Sequence, residues 1–287
     1  MNCVCCDSAE INQNSIESDK YYSCNNCGLL FAESCNPKES IDSLRNHYGN
    51  DDPHESVSHS KRNFYKSVLD YLSFKIDRKK KKILDVGCGF GYFLDMASKR
   101  GWEPSGIEVV QDAVKICGDK FGYENVFKGK IMEASLPEKY FDAITLWDVL
   151  AIVDNPFVEL KECNRLLKKS GIIGIRTRNV VFQIFVYRFF NLIKKIALKY
   201  NLKEPYVFNR YCFNSKSIHA LLTRAGFVNI EICNSLLTSG DPYSHMGFQF
   251  PIQLTKSFLN IISKLIYKTS KGKLLIGPSL LIWAEKP

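Results

Sequence analysis

Ile83-Leu84-Asp85-Val86-Gly87-Cys88-Gly89-Phe90-Gly91-Tyr92 reads as a strand that runs into a glycine-rich turn and then into a helix. Missing side chains at Gly87, Gly89 and Gly91 let the backbone approach a ligand closely at the carboxyl end of that strand. The spacing is tighter than the G-x-G-x-x-G dinucleotide fingerprint. No Lys follows the glycines, so a P-loop is excluded. After the helix comes Gly106-Ile107-Glu108, a second strand ending in an acid. An acid there is placed to accept hydrogen bonds from both hydroxyls of a ribose.

Outward from this stretch, apolar strands alternate with helical segments. Strands are expected at 83–86, 106–109, 141–147 and 171–177, and helices at 92–100, 111–121, 157–168 and 215–225. Such alternation predicts an α/β fold with a parallel sheet covered by helices on both faces. Before it, Phe64, Val68, Leu69 and Leu72 have helical spacing within 60–74. Arg78 to Lys82 is a run of five basic residues directly before the strand, and reads as a solvated segment edge.

The whole chain has 287 residues, 45% of them hydrophobic, which excludes a mainly disordered protein. The net charge of +9 permits an anionic partner without demanding one. The N-terminal residues MNCVCCDSAE lack the basic and apolar regions of a secretory signal. No charge-free apolar run reaches spanning length, so no transmembrane helix is expected. Eleven cysteines without an export signal point to metal ligation or buried thiols rather than disulfides. Cys3 and Cys6 form one C-x-x-C, and Cys24 and Cys27 a second, followed by Gly28. Two such pairs read as a zinc ribbon whose four thiolates suit a tetrahedral ion and leave no open position for catalysis. Rubredoxin-like iron is the rival metal, and Cys5 is a competing ligand.

LDVGCGFG followed by GIE resembles motif I and the second-strand acid of class I S-adenosylmethionine-dependent methyltransferases. FDAITLWDVL at 141–150, NRLLKKSG at 164–171, Ala225-Gly226-Phe227 and the closing LIWAEKP at 281–287 resemble further marks of that family. The paired C-x-x-C motifs resemble a subgroup with an N-terminal zinc-ribbon-like segment that often modifies sugars and other small molecules. The resemblance implies a Rossmann-like, seven-stranded, mostly parallel sheet, a small zinc ribbon over 1–36, and a linker with helices over the cofactor site at 37–78. The methyltransferase domain then spans 79–287, with helical cap insertions near 180–204 and 251–270. It further implies that Asp85, Gly87, Cys88, Gly89 and Gly91 hold the methionine end of the cofactor through an acidic acceptor and backbone donors. Glu108 would hold the ribose, and Val109, Ile131 and Met132 would wall the adenine. Trp147 and Asp148 would lie near the sulfonium and the acceptor mouth, with core packing and a helix N-cap as their respective alternatives.

Two departures from the family bear on the acceptor. Many relatives carry Glu-His where this chain has Ala151-Ile152, and a His where it has Asn209. Proximity and orientation supply much of the rate of an in-line methyl transfer, but an aliphatic hydroxyl still needs a base. Candidate bases are His47, His54, His59 and, preferred, His245 in a turn-rich loop, with Asp148 beside the mouth. Tyr48 falls in the segment that covers the cofactor in relatives.

Segments 180–200 and 254–268 are apolar with Lys-rich edges. They read as a helical cap over the acceptor site or as a basic amphipathic surface that rests on a membrane. The expected protein is a cytoplasmic methyltransferase, with peripheral membrane contact as the second option. Its expected acceptor is a small molecule: a sugar, a glycan or a lipid-linked intermediate. An RNA methyltransferase and a non-catalytic cofactor-binding homologue are the competing readings. Spread-out basic residues and the Trp147-Asp148 strand end disfavour nucleic acid.

Overall fold

The computed structural model describes residues 1–16, 19–32, 53–122, 125–194, 208–236, 238, 261, 263, 265–270 and 274–287. The chain opens with a hairpin, β1 (Ile11–Ile16) and β2 (Asp19–Cys24), followed by β3 (Leu30–Ala32). Helix α1 (Pro53–Lys75) leads to β4 (Lys81–Val86), α2 (Tyr92–Ser98), β5 (Trp102–Glu108), α3 (Gln111–Phe121) and β6 (Val126–Lys128). Next come β7 (Phe141–Trp147), α4 (Pro156–Leu166), β8 (Leu167–Arg178) and α5 (Val180–Leu192). The described chain closes with β9 (Tyr211–Cys212), α6 (Ser215–Arg224), β10 (Val228–Asn234) and β11 (Ser279–Glu285). His245, His47 and Tyr48 lie outside the described residues, as does most of the expected helix at 254–268; residues 261, 263 and 265–268 of it are helical.

Seven strands form one sheet in the order β10-β11-β8-β7-β4-β5-β6. The β4, β5, β6, β7 and β8 pairings are parallel, and β11 alone runs against its neighbours. This is the parallel sheet that the alternating pattern predicts, with the Rossmann-like seven strands that the resemblance implies. β4 is buried along its last four residues and β7 along all seven, as befits strands covered on both faces. Strand order reverses at β4, between β5 and β7, and ligands of open α/β sheets bind outside the carboxyl ends at such a point.

The apolar stripe of α1 does what its spacing predicts. Phe64, Val68, Leu69 and Leu72 are buried against Phe93, Trp102, Trp147 and Trp283 on one face of the sheet. Asn155 caps α4 by accepting from the Phe157 and Val158 amides, and Pro156 occupies the first turn.

The basic run at 78–82 is more than a solvated edge. Asp142, buried on β7, accepts from Arg78 Nη1 at 2.7 Å, from the Lys82 amide at 2.9 Å and from Lys168 Nζ at 2.8 Å. A buried carboxylate must be paired, and this one ties the start of β4 to β7 and β8.

The hairpin and β3 form a second sheet with β9, ordered β1-β2-β3-β9. Its cysteines share one core with Leu150, Ala151, Phe213, Ile218 and Leu222 of the larger body. The N-terminal segment is therefore packed onto the seven-stranded sheet's partners rather than tethered beside them.

Candidate functional site

The glycine turn after β4 is built as its residues require. Gly87, Gly89 and Gly91 all have positive φ, at 72°, 54° and 75°, where a side chain is strained. A Cβ on Gly87 would also strike Val149. The amides of Gly87 and Cys88 donate to Ile107 O at 2.7 and 3.1 Å, and that of Gly91 to Cys88 O at 3.0 Å. The Gly89 amide donates to Glu108 Oε2 at 2.8 Å. These four donors are spent on the turn and the end of β5, so they offer close approach rather than the free backbone donors expected from the sequence.

Two buried acids face this turn. Glu108, at the end of β5, also accepts from the Val110 amide at 2.9 Å. Asp85, 2% exposed, accepts from Thr145 Oγ1 at 2.6 Å. Burial pushes the Asp85 carboxyl up to about 7, against the pull of the Thr145 hydroxyl and the Lys61 charge. A buried carboxylate with a single side-chain hydrogen bond is poised for a cation.

Around these acids the expected walls separate into two groups. Gly129 donates its amide to Glu108 O, which sets the 3-10 turn Ile131–Glu133 beside the end of β5. Ile131 is buried, whereas Val109 and Met132 are 37% and 56% exposed. Cys88 instead points into the body, packed with Leu94 and Cys117. The Trp147 ring lies in the core, edge-on to Phe64 at 5.1 Å and Phe93 at 5.6 Å, so core packing describes its place. Its buried Nε1 has no partner.

Asp148 is not a helix N-cap. It sits at φ 66° immediately after β7, and α4 begins only at Pro156. Its Oδ2 accepts from Arg176 Nη1 at 2.5 Å and Lys61 Nζ at 3.3 Å. Burial raises the Asp148 pKa, but the charges of Arg176, Lys61 and Arg178 outweigh it and leave the group below the ordinary carboxylate value. That makes it a poor proton acceptor. Arg176 spends its other donors on Ser235 Oγ at 3.2 Å and Thr238 Oγ1 at 3.0 Å. Lys61 and Arg176 were not visible as site residues in the sequence, because only tertiary packing brings α1 and β8 to the end of β7.

At the other edge, the sulfurs of Cys3, Cys6, Cys24 and Cys27 lie within 4.8 Å of one another. Cys3 and Cys27 are 3.6 Å apart, and Cys6 and Cys24 3.5 Å. Four thiolates about 2.3 Å from one tetrahedral ion would stand about 3.8 Å apart, so the donor set fits zinc. Cys5, also buried, is not one of these four, but its thiol approaches Cys3 and Cys27 and remains a competing ligand.

The fold is shared with known proteins. A SAM-dependent methyltransferase of Thermotoga maritima superposes with a TM-score of 0.51 at 17% identity, over 88% of this chain and 99% of that one. Phosphoethanolamine N-methyltransferase 2 of Haemonchus contortus, solved with S-adenosyl-L-methionine, superposes with a TM-score of 0.56 at 14% identity, over 96% and 71%. In sequence, a ubiquinone biosynthesis O-methyltransferase of Xanthomonas oryzae is 29% identical over 116 residues, or 39% of this chain and 48% of that protein. A protein of the same name from Azoarcus is 27% identical over 161 residues, or 51% and 68%. The chain thus spans about half the length of the first of these relatives. The family model for the methyltransferase domain matches residues 57–232, from α1 through the glycine turn to β10, and the chain belongs to that family.

Proposed function

We propose that the protein is an S-adenosylmethionine-dependent methyltransferase acting on a small molecule. The observation that carries this reading is Asp85, a buried carboxylate raised to about 7 beside a glycine turn that a side chain would fill. In this reading Asp85 receives the ammonium of the methionine end, and its ionised form is restored by that charge. Lys61 feels both Asp85 and Asp148 and donates to the methionine carboxylate, since the amides of Gly87, Cys88, Gly89 and Gly91 are spent. Glu108 accepts from the ribose hydroxyls. Val109, Ile131 and Met132 cover the adenine, and Gly87, Gly89 and Gly91 allow the backbone to come close. Cys88 and Trp147 shape the site from beneath. Cys3, Cys6, Cys24 and Cys27 hold a structural zinc ion.

When bound, S-adenosylmethionine supplies an electrophilic methyl group on a sulfonium. The chain's residues orient and exclude water more than they move protons. Asp148 is held as an anion by Arg176 and Lys61, so we assign it to positioning rather than to proton removal. Ala151 and Ile152 offer no base. An acceptor that ionises without help, or is already nucleophilic, suits this mouth. The relatives' names put their transfer on oxygen, which supports an oxygen acceptor that ionises readily; an aliphatic hydroxyl of a sugar or glycan would need a base that these groups do not supply.

Calorimetry with S-adenosylmethionine tests the cofactor half. Glu108→Ala should weaken binding by about 1–3 kcal/mol, the cost of an unpaired polar group. No heat of binding to folded wild-type protein would overturn the reading. Labelled methyl transfer into fractionated cell extract then reads the acceptor class.

A further inference from the structure

We propose that the outward face of α5 docks on the surface of an anionic lipid bilayer. The helix is apolar on two opposite sides. Val180 and Phe190 are buried, and Ile184 and Tyr187 are partly so, against Tyr21, Leu30 and Cys212 of the smaller sheet and Phe208 ahead of β9. On the other side Val181, Phe185, Phe189 and Leu192 are 48%, 59%, 56% and 85% exposed. Their spacing of four, four and three residues puts them on one stripe. A helix apolar all round calls for burial on both sides, and here one side is open.

Charge selects the occupant. The described residues 180–194 contain Arg188 and Lys194 and no acid. Both are exposed, Arg188 seven residues after Val181 on the edge of the stripe and Lys194 just past the helix end. Aromatic and aliphatic side chains flanked by cations are the composition of helices that lie in the interface plane and meet anionic headgroups. A second copy meeting this face would bring its own cations against these. No helix among the described residues is long and apolar enough to cross a membrane, so contact at the surface is the geometry available. The helix starts four residues beyond Arg176, on the side of the sheet where Asp148 leaves β7. Resting on the transferase reading, docking there would deliver an acceptor with an apolar tail to the mouth.

The test uses the full chain and needs no transfer reaction, so it fails separately from that reading. Binding to vesicles of phosphatidylcholine with about one-third phosphatidylglycerol is compared with binding to phosphatidylcholine alone by co-sedimentation. Binding should favour the anionic vesicles and weaken several-fold between ~0.1 M and ~0.5 M salt. The Phe185→Ser/Phe189→Ser double variant should lose binding by about tenfold or more, with an unchanged circular dichroism spectrum. Phe74→Ser, which alters an 84% exposed apolar residue on α1, should leave binding intact. A Phe185→Trp variant should show blue-shifted emission, quenched by brominated lipid. Equal binding by the double variant, no binding to either vesicle, or a lipid-free dimer that the double variant dissociates would each overturn the proposal.

Discussion

The glycine turn and the cysteine ribbon both gather working groups, by contacts of very different sequence range. At the turn, Asp85, the glycines and Glu108 are brought together by one strand–turn–helix–strand unit, β4 through β5. At the ribbon, the decisive contacts are remote. Asn214 Nδ2 donates to Cys27 O at 3.2 Å and Gly28 O at 2.8 Å, the first across 187 positions. Ala32 donates its amide to Arg210 O, and β3 pairs with the two residues of β9. Arg224 Nη1 donates to Val4 O at 2.7 Å and its guanidinium stands 4.3 Å from the Phe157 ring centroid. Tyr211, next in β9, donates its amide to Ala151 O and its hydroxyl to Asp154 O. The ribbon thus braces the loop that follows Asp148, while the turn takes its hydrogen bonds from β4 through β5, with Thr145 of β7 added at Asp85. The comparison predicts that damage to one end should spare the other.

Metal loss is the largest expected break. A segment of this size without a metal has little core of its own, and structural zinc is worth on the order of 10 kcal/mol to such units. Chelation, or Cys24→Ser, should remove hydrogen-exchange protection from 11–32 and lower the unfolding temperature. Cofactor affinity should change by no more than about twofold, roughly 0.4 kcal/mol. A parallel collapse of cofactor affinity would show that the two ends are one unit.

Asp85→Asn should act in the opposite sense on stability and binding. The folded pKa of Asp85 is raised from 3.8 to about 7. Its ionisation therefore costs nothing below pH ~4, costs progressively more up to pH ~7 and is constant above, up to ~4 kcal/mol at 1.36 kcal/mol per unit. The Asn variant should be more stable than wild type at pH 8 and equal to it near pH 4. It should also lose cofactor affinity by about 1.5–3 kcal/mol, the range for a charged hydrogen bond. Wild-type affinity should fall as pH drops below 7. Denaturant curves at the two pH values, with calorimetry, check both signs.

This asymmetry explains how far the sequence can be read. β7 runs over the residues its apolar pattern marks, and α3 does likewise, because both periods are local and strong. Asp85, Glu108 and the four cysteines stand where their motifs put them for the same reason. β1 and β2 were not expected: INQNSI and DKYYSC lack an apolar alternation, and the hairpin is held by the cysteine cluster and by β3. β9 is two residues long, and its pairing depends on a strand far away in the chain. Trp147 and Asp148 follow one another, yet the first fills the core and the second meets Arg176. A strand end turns successive side chains to different surroundings, and only packing decides which.

Asn214→Ala sharpens the ribbon side. The side chain accepts from the Ser217 amide at 2.8 Å as the α6 cap and braces Cys27 and Gly28. Loss of a cap and a brace should cost about 1–2 kcal/mol. It should raise exchange at β3 and β9 and leave cofactor affinity unchanged. A variant with native exchange at β3 would show that strand pairing and the shared core hold the ribbon without this side chain.

The smallest effect tests the turn side where stability is blind. Met132 is 56% exposed, so Met132→Ala removes little buried surface, and surface substitutions shift stability by less than about 0.5 kcal/mol. If Met132 covers the adenine, the same change exposes apolar area only in the bound state, at about 25 cal/mol per Å². The dissociation constant should then rise about three- to fivefold, which is roughly 1 kcal/mol, while the unfolding midpoint stays put. Val109→Ala should behave alike with a smaller rise, since that side chain is shorter. Unchanged affinity in both variants would move the adenine away from the end of β5, even if Asp85 and Glu108 still bind the rest of the cofactor.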